Sequence, residues 1–352
     1  MQDRIEHLDG LRAVAFLLVF LHHAIKLPLG WIGVDIFFVL SGYLISRNLL
    51  RLRESTSVGR AYGVFYFRRL IRIVPPYYFA VLATLPWFDR AAGDVLWDLA
   101  FASNVHASIT GTMDKVFGPF WSIGVEEQFY LVWPVLVLSA PRRHLLKLFV
   151  IVIVAAPIIR YLLTPAEFIA VYTLMPCRMD LLAAGALLAL LETRAPDVFP
   201  RNRQKFFILA ILAMTTFAAI SFADRTFRTG SGLPLFNVVG FALVACFAVG
   251  TFGYVRSLEK GMLTRLLTSG PFAYVGKVSY TCYLVHAVVI ELVSHAHLGT
   301  WRSAPIALVG TVLVATITWY GFENRVARLR RLLPERAVAS TLQTPRAAAT
   351  TM

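Results

Sequence analysis

Apolar residues run through this chain in stretches of about 20, the length that crosses the hydrocarbon core of a bilayer as a helix, with short polar stretches between them. Ten such stretches are read as transmembrane helices, at approximately 8–27, 31–50, 73–89, 120–139, 145–163, 173–191, 206–223, 235–254, 272–296 and 304–322. The expected fold class is therefore all-α: a polytopic integral membrane helical bundle of about ten transmembrane helices, occupying residues 1–325 as one domain. Segment 94–105, half apolar and too short to cross, is expected as a re-entrant or interfacial helix. The first apolar run exceeds a signal-peptide core and has no small-residue cleavage pattern, so it is expected to remain as the first span.

Composition narrows the class. Hydrophobic residues make up 58% of the 352, above the 45–50% or so of soluble domains. A formal charge of +14 would suit a nucleic-acid partner, but the cations sit between the apolar runs instead of gathering on a soluble face. If the N-terminus is inside, 24 of the 34 Lys and Arg residues fall in cytoplasmic segments and 7 outside, which predicts that both termini are cytoplasmic. Residues 326–352 form a tail with a basic start, suited to anionic lipid headgroups, and an Ala/Thr/Ser-rich end expected to be disordered. Cys177, Cys246 and Cys282 have no CxxC spacing; they are expected to be buried packing residues, with neither a disulfide framework nor a metal site.

The candidate chemistry lies in the ionisable residues that interrupt the apolar runs. Such residues cost a few kcal/mol or more in a span and mark sites or pathways. In LDGLRAVAFLLVFLHHAIK, Arg12 and His23 stand eleven positions apart, close to one helix face and roughly 16 Å along the axis. They are expected to look into one cavity at two depths, while His22 turns about 100° away. In WIGVDIFFVLSGYLIS, Asp35 lies near the outer boundary, and the small pair Ser41-Gly42 permits close helix packing or room for a ligand. In FYFRRLIRIVPPYY, Arg68, Arg69 and Arg72 stand before Pro75-Pro76, which are expected to break or bend the third span; the three arginines suit phosphate oxygens. Glu126 in FWSIGVEEQFYLVWP and Asp35 come out at a depth similar to that of His23, so either carboxylate could orient the imidazole as a general base or simply form a buried pair. Arg178 and Asp180 are expected to pair with one another or line an acceptor entrance. His286 is expected to line the cavity, with Lys277 toward its inner side.

Six blocks, LDGLRAVAFLLVFLHH, GVDIFFVLSGYLIS, YFRRLIRIVPPYY, FWSIGVEEQFYLVWP, RMDLLAAGALLA and SYTCYLVH, resemble in this order the motif blocks of membrane-bound acyltransferase family 3, over Leu8 to about Phe322. The resemblance implies ten spans in a bacterial inner membrane. It also implies transfer of an acyl group, most often acetyl from acetyl-CoA as co-substrate, to a hydroxyl of a carbohydrate, glycolipid or macrolide-like acceptor. By the same resemblance, the family's paired Arg and His fall on Arg12 and His23, its RxxR on Arg69 and Arg72, its Ser-Gly-aromatic on Ser41, Gly42 and Tyr43, and its glutamate on Glu126. Position 22, usually aromatic in the family, is His here. The hydrolase-like domain that some family members carry is not expected here; if the enzyme is complete, it is expected to hand the acyl group directly to the acceptor or to need a separate partner.

The expected reaction has His23 as catalytic base, oriented by Glu126 or Asp35, with the CoA phosphates on Arg69, Arg72, Arg12 and Arg68. Ser41 is a weak candidate nucleophile, and an acetyl-His23 route stays open. The rival reading is a multi-span transporter that moves an anionic solute past Arg12 and His23, although the sequence shows no repeat-related halves.

Overall fold

The computed structural model describes residues 5–164, 168–223 and 234–328. Ten long helices follow one another in alternating direction: α1 (Glu6–Ile25), α2 (Ile32–Ser55), α3 (Val58–Thr84), α6 (Phe120–Ser139), α7 (Leu145–Leu163), α9 (Met175–Arg194), α11 (Arg203–Ala223), α12 (Phe241–Arg256), α14 (Gly270–Ser294) and α15 (Thr300–Thr318). Shorter helices join them: α4 (Ala92–Leu99), α5 (Ser103–Thr110), α8 (Phe168–Thr173), α10 (Val198–Arg201), α13 (Met262–Leu267) and α16 (Asn324–Arg328). Among the described residues there is no β-strand.

Eight helical segments are long and apolar enough to cross a membrane. The expected third and fourth spans, within α3 and α6, fall short of that standard because α3 carries four arginines and α6 carries Glu126 and Glu127. A count of ten spans therefore rests on these two helices, which also expose apolar side chains such as Phe79, Leu82, Leu131 and Val135. Of the break or bend expected at Pro75 and Pro76, the break does not occur: α3 begins at Val58 and continues through both prolines to Thr84. The segment expected to lie at the interface is the helix pair α4 and α5. Arg90 pairs with Asp98 at 2.7 Å, and Gln128 donates to the Asn104 side chain at 2.8 Å, fastening that pair to the bundle. The basic tail lies outside the described residues beyond Arg328.

Apolar side chains serve two solvents here. Those of α7, α11 and α15, such as Ile151, Ile158, Leu212, Val309 and Ile317, are exposed on the outer surface, as lipid contact requires. Cys177 and Cys282 are buried as expected, but Cys246 is exposed on α12. Between helices, lipid supplies no hydrophobic drive, so close backbone approach does the packing. The α2–α9 crossing shows this. A Cβ on Gly42 would stand 1.9 Å from the Leu182 carbonyl oxygen, and one on Gly185 2.1 Å from that of Val39. Helix α1 lies along α14 in the same manner, where a Cβ on Gly276 would meet the Asp9 carbonyl oxygen at 1.8 Å. Arg53 ends α2 by donating to the carbonyls of Val137 (2.6 Å) and Ala140 (2.7 Å), which satisfies the end of α6.

Gly42→Val should therefore act on the fold. The α2–α9 crossing must open to admit the side chain, and we expect a loss of at least about 2 kcal/mol of stability, read as a lower thermal midpoint in detergent.

Candidate active site

One end of the bundle, where Ile5 and Val326 lie, opens into a cavity of about 520 Å³. Its lining is strongly cationic: Arg12 from α1, Arg47 and Arg51 from α2, Arg68, Arg69 and Arg72 from α3, and Lys277 from α14, against Asp9 and Glu323. Arg47 is partly engaged, 3.5 Å from Glu192, and Lys277 sits over the Trp319 ring at 4.8 Å. Little more than one turn of α3 presents Arg68, Arg69 and Arg72 together, because Arg72 follows the other two at spacings of four and three, which share a helix face.

Arg12, Arg69, Arg72 and Tyr280 also line a smaller chamber of about 80 Å³ farther into the bundle. The two spaces thus share a wall of three guanidinium groups. Beyond that wall the lining turns apolar and aromatic, with Val34, Phe37, Phe38, Leu40, Ile73 and Ile123 beside Tyr130 and Tyr283. Its polar centre is Glu126, which accepts hydrogen bonds from the Ser41 hydroxyl at 3.0 Å and from the Tyr130 hydroxyl. Arg69 lies over the Tyr130 ring at 5.0 Å. On the far wall, the hydroxyls of Tyr283 and Ser122 share a hydrogen bond of 2.7 Å.

His23 lies past that wall, near the opposite end of α1, and lines neither space. Its ring is in contact with those of His22, at 5.3 Å between centroids, and His286, at 5.1 Å. His286 in turn touches Tyr283 at 5.4 Å, and Tyr283 touches Phe37 at 6.0 Å. A file of rings thus separates chamber from imidazole. His22 is fixed differently, with Nδ1 donating to the Leu27 carbonyl at 3.0 Å, so it secures the α1–α2 turn.

A family model described as an acyltransferase domain matches residues 5–320, nearly the whole chain. The chain belongs to acyltransferase family 3. It is 29% identical over 325 residues to YrhL of Bacillus subtilis, whose name assigns it to peptidoglycan O-acetylation; the match covers 82% of this chain and 49% of that protein. It is 26% identical over 361 residues to the peptidoglycan O-acetyltransferase OatA of Listeria monocytogenes, covering 92% of this chain and 56% of the relative. The O-acetyltransferase OatA of Staphylococcus aureus is 25% identical over 356 residues, at 91% and 57% coverage. The chain thus spans about half the length of the curated relatives it matches. No solved structure matches it.

In this member of the family, the residues expected on the donor side largely converge. Arg12, Arg69 and Arg72 share both spaces, Arg68 lines the wider one, and Ser41 and Glu126 meet in the chamber. Gly42 and Tyr43 do not join them. Gly42 faces the Leu182 backbone, and buried Tyr43 donates to Glu192 at 2.5 Å on the side of α2 turned toward α9 and α12. Successive residues of a helix point about 100° apart, so the Ser-Gly-Tyr triplet cannot all face one space.

The carboxylates also depart from expectation. Neither Asp35 nor Glu126 reaches His23. Asp35 pairs with Arg178 of α9, both side chains about 1% exposed, and the guanidinium lies among Phe38, Trp121, Tyr172 and Phe241. Arg178 and Asp180 do not pair with each other, because positions two apart lie on opposite faces of a helix. Asp180 takes Arg160 of α7 instead, at 2.8 Å. His286 lines neither space. The chamber tyrosines Tyr130, Tyr280 and Tyr283 were not singled out from sequence, although Tyr130 follows Glu126 by four positions, on the same helix face.

Asp35→Asn should strip a buried guanidinium of its counter-charge and cost about 3–5 kcal/mol. The double variant with Arg178→Met should recover part of that loss in the same thermal-unfolding assay.

Proposed function

We propose that this protein transfers an acetyl group from acetyl-CoA, entering at the basic end, to a hydroxyl of a carbohydrate acceptor at the opposite end. The observation that carries this reading is the continuity of the arginine-walled cavity with the apolar, tyrosine-lined chamber behind it. A cavity with seven cations at its rim and walls suits a ligand with several phosphates. A narrow apolar chamber beyond it suits the uncharged pantetheine arm and thioester. Cation-rich segments mark the cytoplasmic side, where CoA is found, so the basic end is assigned there. The acetyl-transfer chemistry and the glycan acceptor follow the relatives, whose names assign them to O-acetylation and, for two of them, to peptidoglycan.

In the reaction, Arg69, Arg72 and Arg12 hold the phosphates, and Ser41, Glu126 and Tyr130 shape the chamber around the arm. The acetyl group must pass the Phe37–Tyr283 ring pair to reach His23, so rotation of one of these rings is the movement that catalysis requires. His23 then removes the proton of the acceptor hydroxyl as its oxygen attacks the thioester carbonyl. The new C–O bond forms, the C–S bond breaks, and the CoA sulfur leaves with a proton. Direct attack fits this geometry, because Ser41, whose hydroxyl donates to the Glu126 carboxylate, lies on the donor side of the rings and away from His23.

Thermal unfolding in detergent tests the donor half without an acceptor. CoA at about 100 times its dissociation constant should stabilise wild type and His23→Gln by roughly 2.7 kcal/mol and leave Arg69→Ala unmoved. No response from wild type at saturating CoA would overturn the donor assignment. With acetyl-CoA and acceptor together, His23→Gln should lose about 10²- to 10⁴-fold in kcat, measured as base-labile acetate on the acceptor.

A further inference from the structure

His286 is a buried polar ring that the reaction above does not use. It stands in the middle of α14, fully enclosed. Its Nδ1 lies 2.7 Å from the Tyr283 carbonyl oxygen. A carbonyl can only accept, so Nδ1 carries the hydrogen, and in the neutral ring Nε2 holds a lone pair. That Nε2 is buried and has no hydrogen-bond partner among the described residues. A buried acceptor left unmatched is costly and calls for an explanation. The aromatic rings in contact with His286 are those of Phe16, Tyr283 and His23. Phe16 offers no donor, and the Tyr283 hydroxyl is already engaged with Ser122 and the Pro119 carbonyl. His23 is the neighbour able to donate, and its centroid, 5.1 Å away, is near enough for a ring nitrogen of each to meet directly or across one oxygen.

We infer that His286 is a positioning residue for His23: its Nε2 accepts the N–H of His23, directly or through one bridging hydroxyl oxygen, and holds the lone pair of the other His23 nitrogen toward the acceptor. Its bearing on catalysis rests on the acyl-transfer reading; its bearing on the His23 tautomer does not. The arrangement does the work of a carboxylate partner without placing a charge in the span, where a charge is expensive. It also accounts for how His23 is oriented when Asp35 and Glu126 are engaged elsewhere. The path from donor chamber to base is short: Tyr283 forms the chamber wall, and its carbonyl fixes the tautomer of His286, which fixes that of His23.

Two substitutions separate this role from simple packing. His286→Asn can keep an N–H for the Tyr283 carbonyl but has nothing at the place of Nε2. His286→Gln loses the first contact, and its longer amide can bring an oxygen to the place of Nε2. Side-chain nitrogen NMR of histidine-labelled protein at mildly alkaline pH reads the tautomer directly, with the His23 signals assigned by their loss in His23→Gln. The expected result is one His23 tautomer in wild type and His286→Gln, and a mixture of two in His286→Asn. An unchanged single tautomer in a folded His286→Asn, or rescue by Asn and not by Gln, overturns the inference. Proteoliposomes given acetyl-CoA and an N-acetylglucosamine oligosaccharide supply the kinetic arm. There, His286→Asn should lose at least about tenfold in kcat, with the KM for acetyl-CoA and stabilisation by CoA unchanged, and Gln should restore most of the loss. If wild type transfers no acetyl group while the tautomer result holds, the acyl-transfer reading fails and the histidine pairing stands. If wild type transfers and His286→Asn matches it, the pairing has no part in catalysis and the inference falls.

Discussion

A charge carried into hydrocarbon must meet an opposite charge or a space that water and ligands can enter, and the charged residues of this chain divide between those two conditions. Asp35, Arg178, Arg160 and Asp180 take the first, pairing across α2, α7 and α9. Arg12, which also lies 3.7 Å from Asp9, and Arg68, Arg69 and Arg72 meet the second, lining the space at the basic end. The paired group fixes the scaffold, and the unburied group furnishes the site. Glycine contacts between α2 and α9 permit this division, because the buried ion pair forms only where the two backbones come close.

The site that results is polarised along the bundle. Its basic end suits a polyanion, its middle an uncharged arm, and its far end a hydroxyl beside an imidazole. Arg12 and His23 stand toward opposite ends of one helix, α1, and in the proposed reaction this separates the phosphate-binding cations from the base, with the rings of Phe37 and Tyr283 between them. The rings in contact with His23 are those of His22 and His286. In the pairing inferred above, orientation there comes from hydrogen-bond geometry beside the buried His286, where a single well-placed acceptor has a large effect.

Much of this was legible in advance. The long helices, the short helix pair α4 and α5 and the convergence of Arg12, Arg69, Arg72, Ser41 and Glu126 follow from apolar run lengths, charge placement and the order of the motif blocks. What escaped was direction around each helix. Asp35 and His23 were placed at one depth, but Asp35 points to α9; Ser41, six positions on, is turned roughly 120° from it and faces the chamber. Gly42 and Tyr43 were grouped with Ser41 by adjacency, although adjacency on a helix separates side chains. The helices α3 and α6, read as spans from their apolar runs, fall below the hydropathy of the other eight because they carry Arg68, Arg69 and Arg72 or Glu126 and Glu127.

The sequence by itself determined the solvent of this protein, the class of its fold, its family and the residue types available for chemistry, because each of these depends on run length, composition and order along the chain. Only the tertiary structure decided which partner each buried group has. Depth in a membrane can be counted along a helix, but the face that a side chain presents is useful only once the neighbouring helix is known. That choice was made by close backbone contact at Gly42, Gly185 and Gly276, which set α2 against α9 and α1 against α14, and so gave Asp35 to Arg178 and left His23 beside His286.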